Sequence, residues 1–203
     1  PVLEVEDSYD PETKQRSFSF KQSTPATPGQ DEKLPLHIPV VFGLIGPDGA
    51  DIPLRLVGED ASQGTTRTLE LFDESQSFTF EDVPEGCVPS YLRGFSAPVE
   101  LRCERTNDEY AFQMANDSDS FNRWEAGQQF AMELLVGMVE AIGRGEEPVL
   151  DPAFIAAWGT VLKNDELDPA LVSLALVLPA ESYLSERFEV LDPGHVHTAR
   201  NAA

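Results

Sequence analysis

The 203-residue chain sets 36 acidic side chains against 14 lysines and arginines, a formal net charge of −22. A surface this acidic repels phosphate backbones and anionic lipid, which excludes nucleic acids and membrane surfaces as partners. An apolar share of 41% rules out wholesale disorder and leaves room for one large domain or two small ones, each with a core.

The acidic excess reads as a solvated shell that favours solubility, with adaptation to a salty environment as the more pointed alternative. No run of about 18 apolar residues is present, and no basic-then-apolar leader precedes the first element. The chain opens at Pro1 directly on "VLEVE", a strand pattern, and so reads as a piece of something longer. Two cysteines, Cys87 and Cys103, make no disulfide framework and no C-x-x-C. Free thiols and a reducing, cytoplasmic compartment are expected, with a single disulfide between the two as the alternative.

The first hundred residues alternate with period two. After "VLEVE", "RSFSFKQ" sets Phe18 and Phe20 on one face, and "HIPVVFGLI" is continuous enough to be buried on both sides. Pro47-Asp48-Gly49 is a turn, because Pro presets φ and Gly accepts a positive one. Further strands are expected at Ile52–Val57, Thr65–Leu71, "QSFTFED", Tyr91–Ser96 and Val99–Glu104. Seven or eight short strands at this spacing predict an antiparallel, immunoglobulin-like β-sandwich over residues 1–105. The stretch "QSTPATPGQDEKLP" is its longest loop, exposed and free to carry a contact.

From residue 106 to 203 the period becomes helical. A short helix around Asp108–Ala115 precedes a long one, "FNRWEAGQQFAMELLVGMVEAIG", with Asp119 as its N-cap and Ser120 as its first residue. Asp151-Pro152, Asp168-Pro169 and Asp192-Pro193 repeat one punctuation, an N-cap followed by Pro at the first helical position. Another short helix is expected near Glu181–Arg187. Short helices joined by capped turns predict an all-α, solenoid-like domain with a loose repeat. Within "DSDSFNRWEAGQQ", Phe121 and Trp124 belong to the apolar stripe, whereas Asn122, Arg123 and Glu125 lie off it.

Chemistry is hard to find. The three histidines, His37, His195 and His197, make no H-E-x-x-H, and the last two follow a helix start where a spacing of two opposes them. G-x-S-x-G and the glycine-rich phosphate cradles are absent, and "PDGAD" lacks the remaining ligands of a calcium loop. The carboxylates are too many for one pair to stand out as an acid/base couple.

Three segments carry a resemblance: "TPATPGQDEKLPLHIPVVFGLIGPDG", "FEDVPEGCVPSYLRGFSAPVEL" and "DSDSFNRWEAGQQ". In order and over nearly the whole chain, they resemble the region after the catalytic domain in the bacterial aminopeptidase N family of zinc-dependent alanyl aminopeptidases. The resemblance implies a parent polypeptide that removes N-terminal amino acids from peptides with zinc. The chain itself would be a non-catalytic spacer and the start of the cap around the catalytic chamber. The family's H-E-x-x-H with its downstream Glu and its G-x-M-E-N segment are missing, and Met132-Glu133 is followed by Leu134. No catalytic residue and no metal ligand is therefore transferred, and no cofactor is expected in this chain.

Phe121, Asn122, Arg123, Trp124 and Glu125 are instead expected to form an interdomain junction, the aromatics as core and the polar three as its lock. The implied partners are the remaining domains of the parent and its peptide substrates. Self-association is expected through apolar surface after Leu167, where the helical layer stops. The competing expectation is a stand-alone immunoglobulin-like binding module with a helical extension, engaging a protein through its proline-rich loop.

Overall fold

The computed structural model describes residues 1–190 and 192–203. It divides into two units, Pro1–Thr106 with Asn116–Asn122, and Asn107–Ala115 with Arg123–Ala203.

The first unit is a two-sheet sandwich. Its strands are β1 (Val2–Asp10), β2 (Gln15–Ser23), β3 (Ile38–Ile45), β4 (Thr66–Leu71), β5 (Ser75–Phe80), β6 (Val88–Ser90) and β7 (Glu100–Cys103). One sheet runs β5-β2-β1-β7 and the other β4-β3-β6. All pairings are antiparallel except β1 with β7, which are parallel, an exception that the alternation could not show. The inward positions of the two sheets meet in one core of Leu3, Phe18, Phe20, Val40, Phe42, Leu69 and Phe80 with their neighbours. Phe18 meets Phe42 edge-on at 4.9 Å between ring centroids, and Phe42 stacks on Phe80 at 5.2 Å. Such pairs add about 0.5–1.5 kcal/mol each beyond the area they bury.

Two expected strands are corrected. Residues 52–57 form no strand. Ile52 N–H donates to Leu44, Leu54 N–H to Gly64 and Val57 N–H to Thr79, so the segment shares its bonds among three neighbours. Pro53 has no N–H to offer, which breaks any continuous ladder. Residues 91–96 form no strand either. The strand ends at Ser90, and Arg93–Phe95 make a tight 3-10 turn in which Leu92, Gly94 and Phe95 all have positive φ. Alternating hydrophobicity in "YLRGFS" concealed a turn built around a buried arginine.

The second unit is helical: α1 (Asn107–Asn116), α2 (Ser120–Gly143), α3 (Pro152–Leu162), α4 (Pro169–Ala175), α5 (Glu181–Ser185) and α6 (Pro193–Ala202). The last residue of α1 and the first three of α2 count with the sandwich. The three Asp-Pro punctuations act as the sequence predicts. Asp151, Asp168 and Asp192 each accept from the N–H two residues on, at 2.8 Å, with Pro at the first helical position. The helical core falls into smaller clusters. Phe130 meets Phe154 edge-on at 5.1 Å, Met114 packs with Ala126 and Val161, and Leu135, Met138 and Leu184 close around Val196.

Candidate functional site

The most elaborate polar arrangement in the sandwich unit surrounds Arg93, which is only 5% exposed. Its guanidinium holds Asp51 through two bonds, Nη1 to Oδ2 at 2.8 Å and Nη2 to Oδ1 at 2.7 Å. Nε donates to Ser90 Oγ at 2.9 Å, and Nη1 also reaches Thr66 Oγ1 at 2.8 Å. The carboxylate of Asp117, fully buried, stands 3.6 Å from Nη2. A planar fork can satisfy this many acceptors at once, which an ammonium could not do in the same geometry.

The backbone is shaped to admit the fork. A Cβ on Gly43 would stand 2.1 Å from Arg93 Cζ, so β3 needs glycine where the guanidinium lies across it. The left-handed residues Leu92, Gly94 and Phe95 turn the Arg93 side chain inward. Left-handed conformations in Leu and Phe cost on the order of 1–3 kcal/mol each, so the contacts around them must hold the turn in place.

Those contacts come from residues 117–122. Asp119 uses both carboxylate oxygens: Oδ1 caps the helix by accepting from Asn122 N–H at 2.9 Å, and Oδ2 accepts from Gly94 N–H at 2.8 Å. The expected N-cap thus also fastens the left-handed turn. Ser118 Oγ donates to Asp51 Oδ2 at 2.6 Å. Asn122, 6% exposed, donates from Nδ2 to Ser90 Oγ at 2.9 Å and to the Tyr91 carbonyl at 2.7 Å. Phe121 meets Phe95 edge-on at 5.4 Å.

Burial pushes the Asp51 carboxyl up. The hydrogen bonds from Arg93 and Ser118, with the Arg93 charge, outweigh that and hold it below its ordinary value. Asp51 is therefore an anion at neutral pH that accepts hydrogen bonds and has no proton to deliver. Burial pushes the Tyr91 phenol above its ordinary value, and the Arg105 guanidinium over its ring opposes this only partly. Neither group is poised for acid/base work near pH 7. The arrangement holds backbone together rather than transforming a ligand.

The five residues singled out from the sequence separate. Phe121 and Asn122 lie in the sandwich unit, whereas Arg123, Trp124 and Glu125 lie in the helical one. Phe121 was expected in the core beneath; it is 38% exposed, on the Phe95 ring. Arg123 is buried and donates from Nη1 to the Ala115 carbonyl at 2.8 Å, at the end of α1. Trp124 is half-buried, and Glu125, also half-buried, accepts from Gln129 Nε2 at 2.8 Å one turn on. Arg93, Asp51, Ser90 and Asp117 were missed. An arginine inside the apolar "YLRGF", and a glycine inside the strand "VVFGLI", were the two signals that could have found them.

Among the described residues no three His, Cys, Asp or Glu side chains converge as metal ligands. His197 Nδ1 lies 2.9 Å from Glu181 Oε1, and His195 lies 3.6 Å from Asp192. Each of these histidines is thus set against one carboxylate. Among the described residues no helix is long and apolar enough to cross a membrane.

Comparison with known proteins gives a consistent result over both units. Residues 1–104 match the family described as "Domain of unknown function (DUF3458) Ig-like fold", and residues 107–203 match its companion described as "ARM repeats". Aminopeptidase N of Escherichia coli is 34% identical over the whole chain, and that of Haemophilus influenzae is 33% identical over 98% of it. The Caulobacter vibrioides aminopeptidase N is 40% identical over 66%. The chain spans 23% of the length of the first two relatives and 15% of the third. The crystal structure of Legionella pneumophila aminopeptidase A in complex with aspartic acid superposes with a TM-score of 0.75 at 25% identity, over 99% of this chain and 21% of that one. The chain belongs to the DUF3458 family, as the pair of Ig-like and ARM-repeat domains found in aminopeptidase N homologues.

Proposed function

We propose that this chain is a structural section of a zinc aminopeptidase that removes N-terminal amino acids from peptides. In this reading the sandwich is a spacer and the helices are the beginning of a cap. The supporting observation is that similarity to aminopeptidase N covers both domains while spanning 23% of the relatives' length. The zinc and the peptide substrate belong to the remainder of such an enzyme, whose other domains are the chain's partners. Residues 121–125 serve the junction, with Asn122 held in the sandwich core and Arg123 fastening the helices among themselves.

The compartment is the cytoplasm, a reading that Cys87 and Cys103 support as free thiols. Beyond Leu167, the side chains of Leu174, Val177, Tyr183 and Val190 are all more than half exposed, and they are the surface through which the isolated chain self-associates. The test is the mass of the native polypeptide in source-cell extract, taken with an antibody against this chain. A band several times heavier than 22.3 kDa, with chelator-sensitive release of N-terminal alanine, is the expected result. A band at 22.3 kDa would overturn the reading and favour a stand-alone binding module.

A further inference from the structure

One corner of the sandwich unit presents apolar side chains on backbone too well fastened to be an idle loop. Gln22, 5% exposed, ties three segments together there. Its Nε2 donates to the carbonyls of Leu36 and Asp73, at 2.8 and 3.0 Å, and its Oε1 accepts from Leu36 N–H at 2.7 Å. Its own N–H donates to the Glu74 carbonyl at 2.9 Å. Gln76 repeats the device, accepting from Phe72 N–H at 3.0 Å and donating to the Glu70 carbonyl at 2.9 Å. On this frame Leu36 is 45% exposed and Phe72 58%, and the His37 ring stacks on Phe72 at 4.4 Å while its Nε2 pairs with Glu70. Leu34, two residues before Leu36, is 85% exposed.

Leu36, His37 and Phe72 on one fastened corner, with Leu34 exposed two residues away in sequence, are more than the scattered exposure of an ordinary surface. Three exposed carboxylates, Glu70, Asp73 and Glu74, flank Phe72, with Glu70 paired to His37, while the one cation beside Leu34, Lys33, is held by Thr27 and Gln30. Charge selects the occupant. A second copy of a chain carrying −22 brings like charge to an acidic rim, and an anionic lipid surface does the same. A polypeptide segment with Lys or Arg beside an apolar side chain satisfies both parts of the corner.

We propose that the corner formed by Leu34, Leu36, His37 and Phe72 is a docking surface for such a basic, apolar segment. The segment is supplied by the part of the longer polypeptide that lies outside these residues. This rests on the reading of the chain as a section of an aminopeptidase. The relatives have more than three-quarters of their length beyond the matched region, so surface to supply the segment exists there.

The experiment compares hydroxyl-radical footprinting of the 203-residue chain with that of the full-length polypeptide from the source cells. Leu36 and Phe72 are expected to oxidise roughly fivefold more slowly in the longer polypeptide, as side chains do when a contact excludes water from them. A second arm introduces Phe72→Ser into both. It lowers the melting temperature of the longer polypeptide by several degrees, and it leaves that of the 203-residue chain within about 1 °C because the ring is already exposed. Equal oxidation in the two contexts, or equal melting shifts, would overturn the docking surface while leaving the aminopeptidase reading intact. A native mass of 22.3 kDa would overturn both.

Discussion

The two units solve the same problem differently. The sandwich gathers its apolar residues into one core, in which Phe18, Phe20, Phe42, Phe80 and Tyr91 contact one another across the two sheets. The helical unit divides its core among smaller clusters, each joining the long helix α2 to between one and three shorter helices, and leaves Ile155, Leu162 and Leu174 exposed. The contrast follows from geometry. A sheet face collects side chains from every strand at once, whereas a short helix can bury its stripe only against its neighbours. One large core should unfold as a single cooperative block, and a chain of small ones should yield locally and in steps.

The strongest way to break that contrast is to hollow out the sandwich. Phe42 is fully buried and touches three other rings, so Phe42→Ala should cost about 3–5 kcal/mol. Urea unfolding followed by hydrogen exchange should show the loss spread over β1 to β7. Both tryptophans, Trp124 and Trp158, lie in the helical unit, so their fluorescence follows that unit separately. A loss confined to the amides of β3 would show that the sandwich core is not one block.

Asn122→Ala is next in size. It takes the Asn122 donor from the Tyr91 carbonyl in a buried site and leaves Ser90 Oγ with the Arg93 Nε–H, for about 1–3 kcal/mol. Exchange should quicken at Tyr91–Ser96 before it does in β1 and β2, and a stability unchanged within error would remove Asn122 from the account. In the helical unit, Asp168→Ala removes a cap and should cost about 1 kcal/mol. Its effect should stay within α4 and the helices beside it, as a divided core requires. Global loss from this one cap would contradict the stepwise picture.

Acid gives the smallest effect. The folded pKa of Asp51 is lowered, so its contribution is present above the unfolded value and lost as the pH falls through the folded one. Stability of the sandwich should therefore decline below about pH 4, and Asp51→Asn should flatten that decline. An unaltered acid profile in the variant would mean that Asp51 carries no such linkage.

The fold was largely legible because its signals are local. Two-residue alternation in "RSFSFKQ" and "QSFTFED" and the repeated Asp-Pro caps depend only on neighbours in sequence, and the structure contains each of them. What failed was long-range. Residues 52–57 look like a strand until three different partners compete for their backbone groups. The turn at Arg93 exists because Asp51 lies 42 positions away and Asp117 another 24, a pairing that no window of sequence contains. Asp119 was legible as a cap, but its second oxygen, committed to Gly94, was not. The same limit separates Phe121 from the stripe to which its spacing assigned it, because the ring's partner is Phe95 on another segment.

On the proposed reading, this chain contributes structure to a peptidase and leaves the chemistry to residues elsewhere. The most direct measurement mixes the purified 203-residue chain with one equivalent of zinc and an alanine-releasing chromogenic substrate. The account predicts no turnover above buffer and no stoichiometric zinc binding by calorimetry. Tight one-to-one zinc binding with chelator-sensitive release of alanine would contradict it.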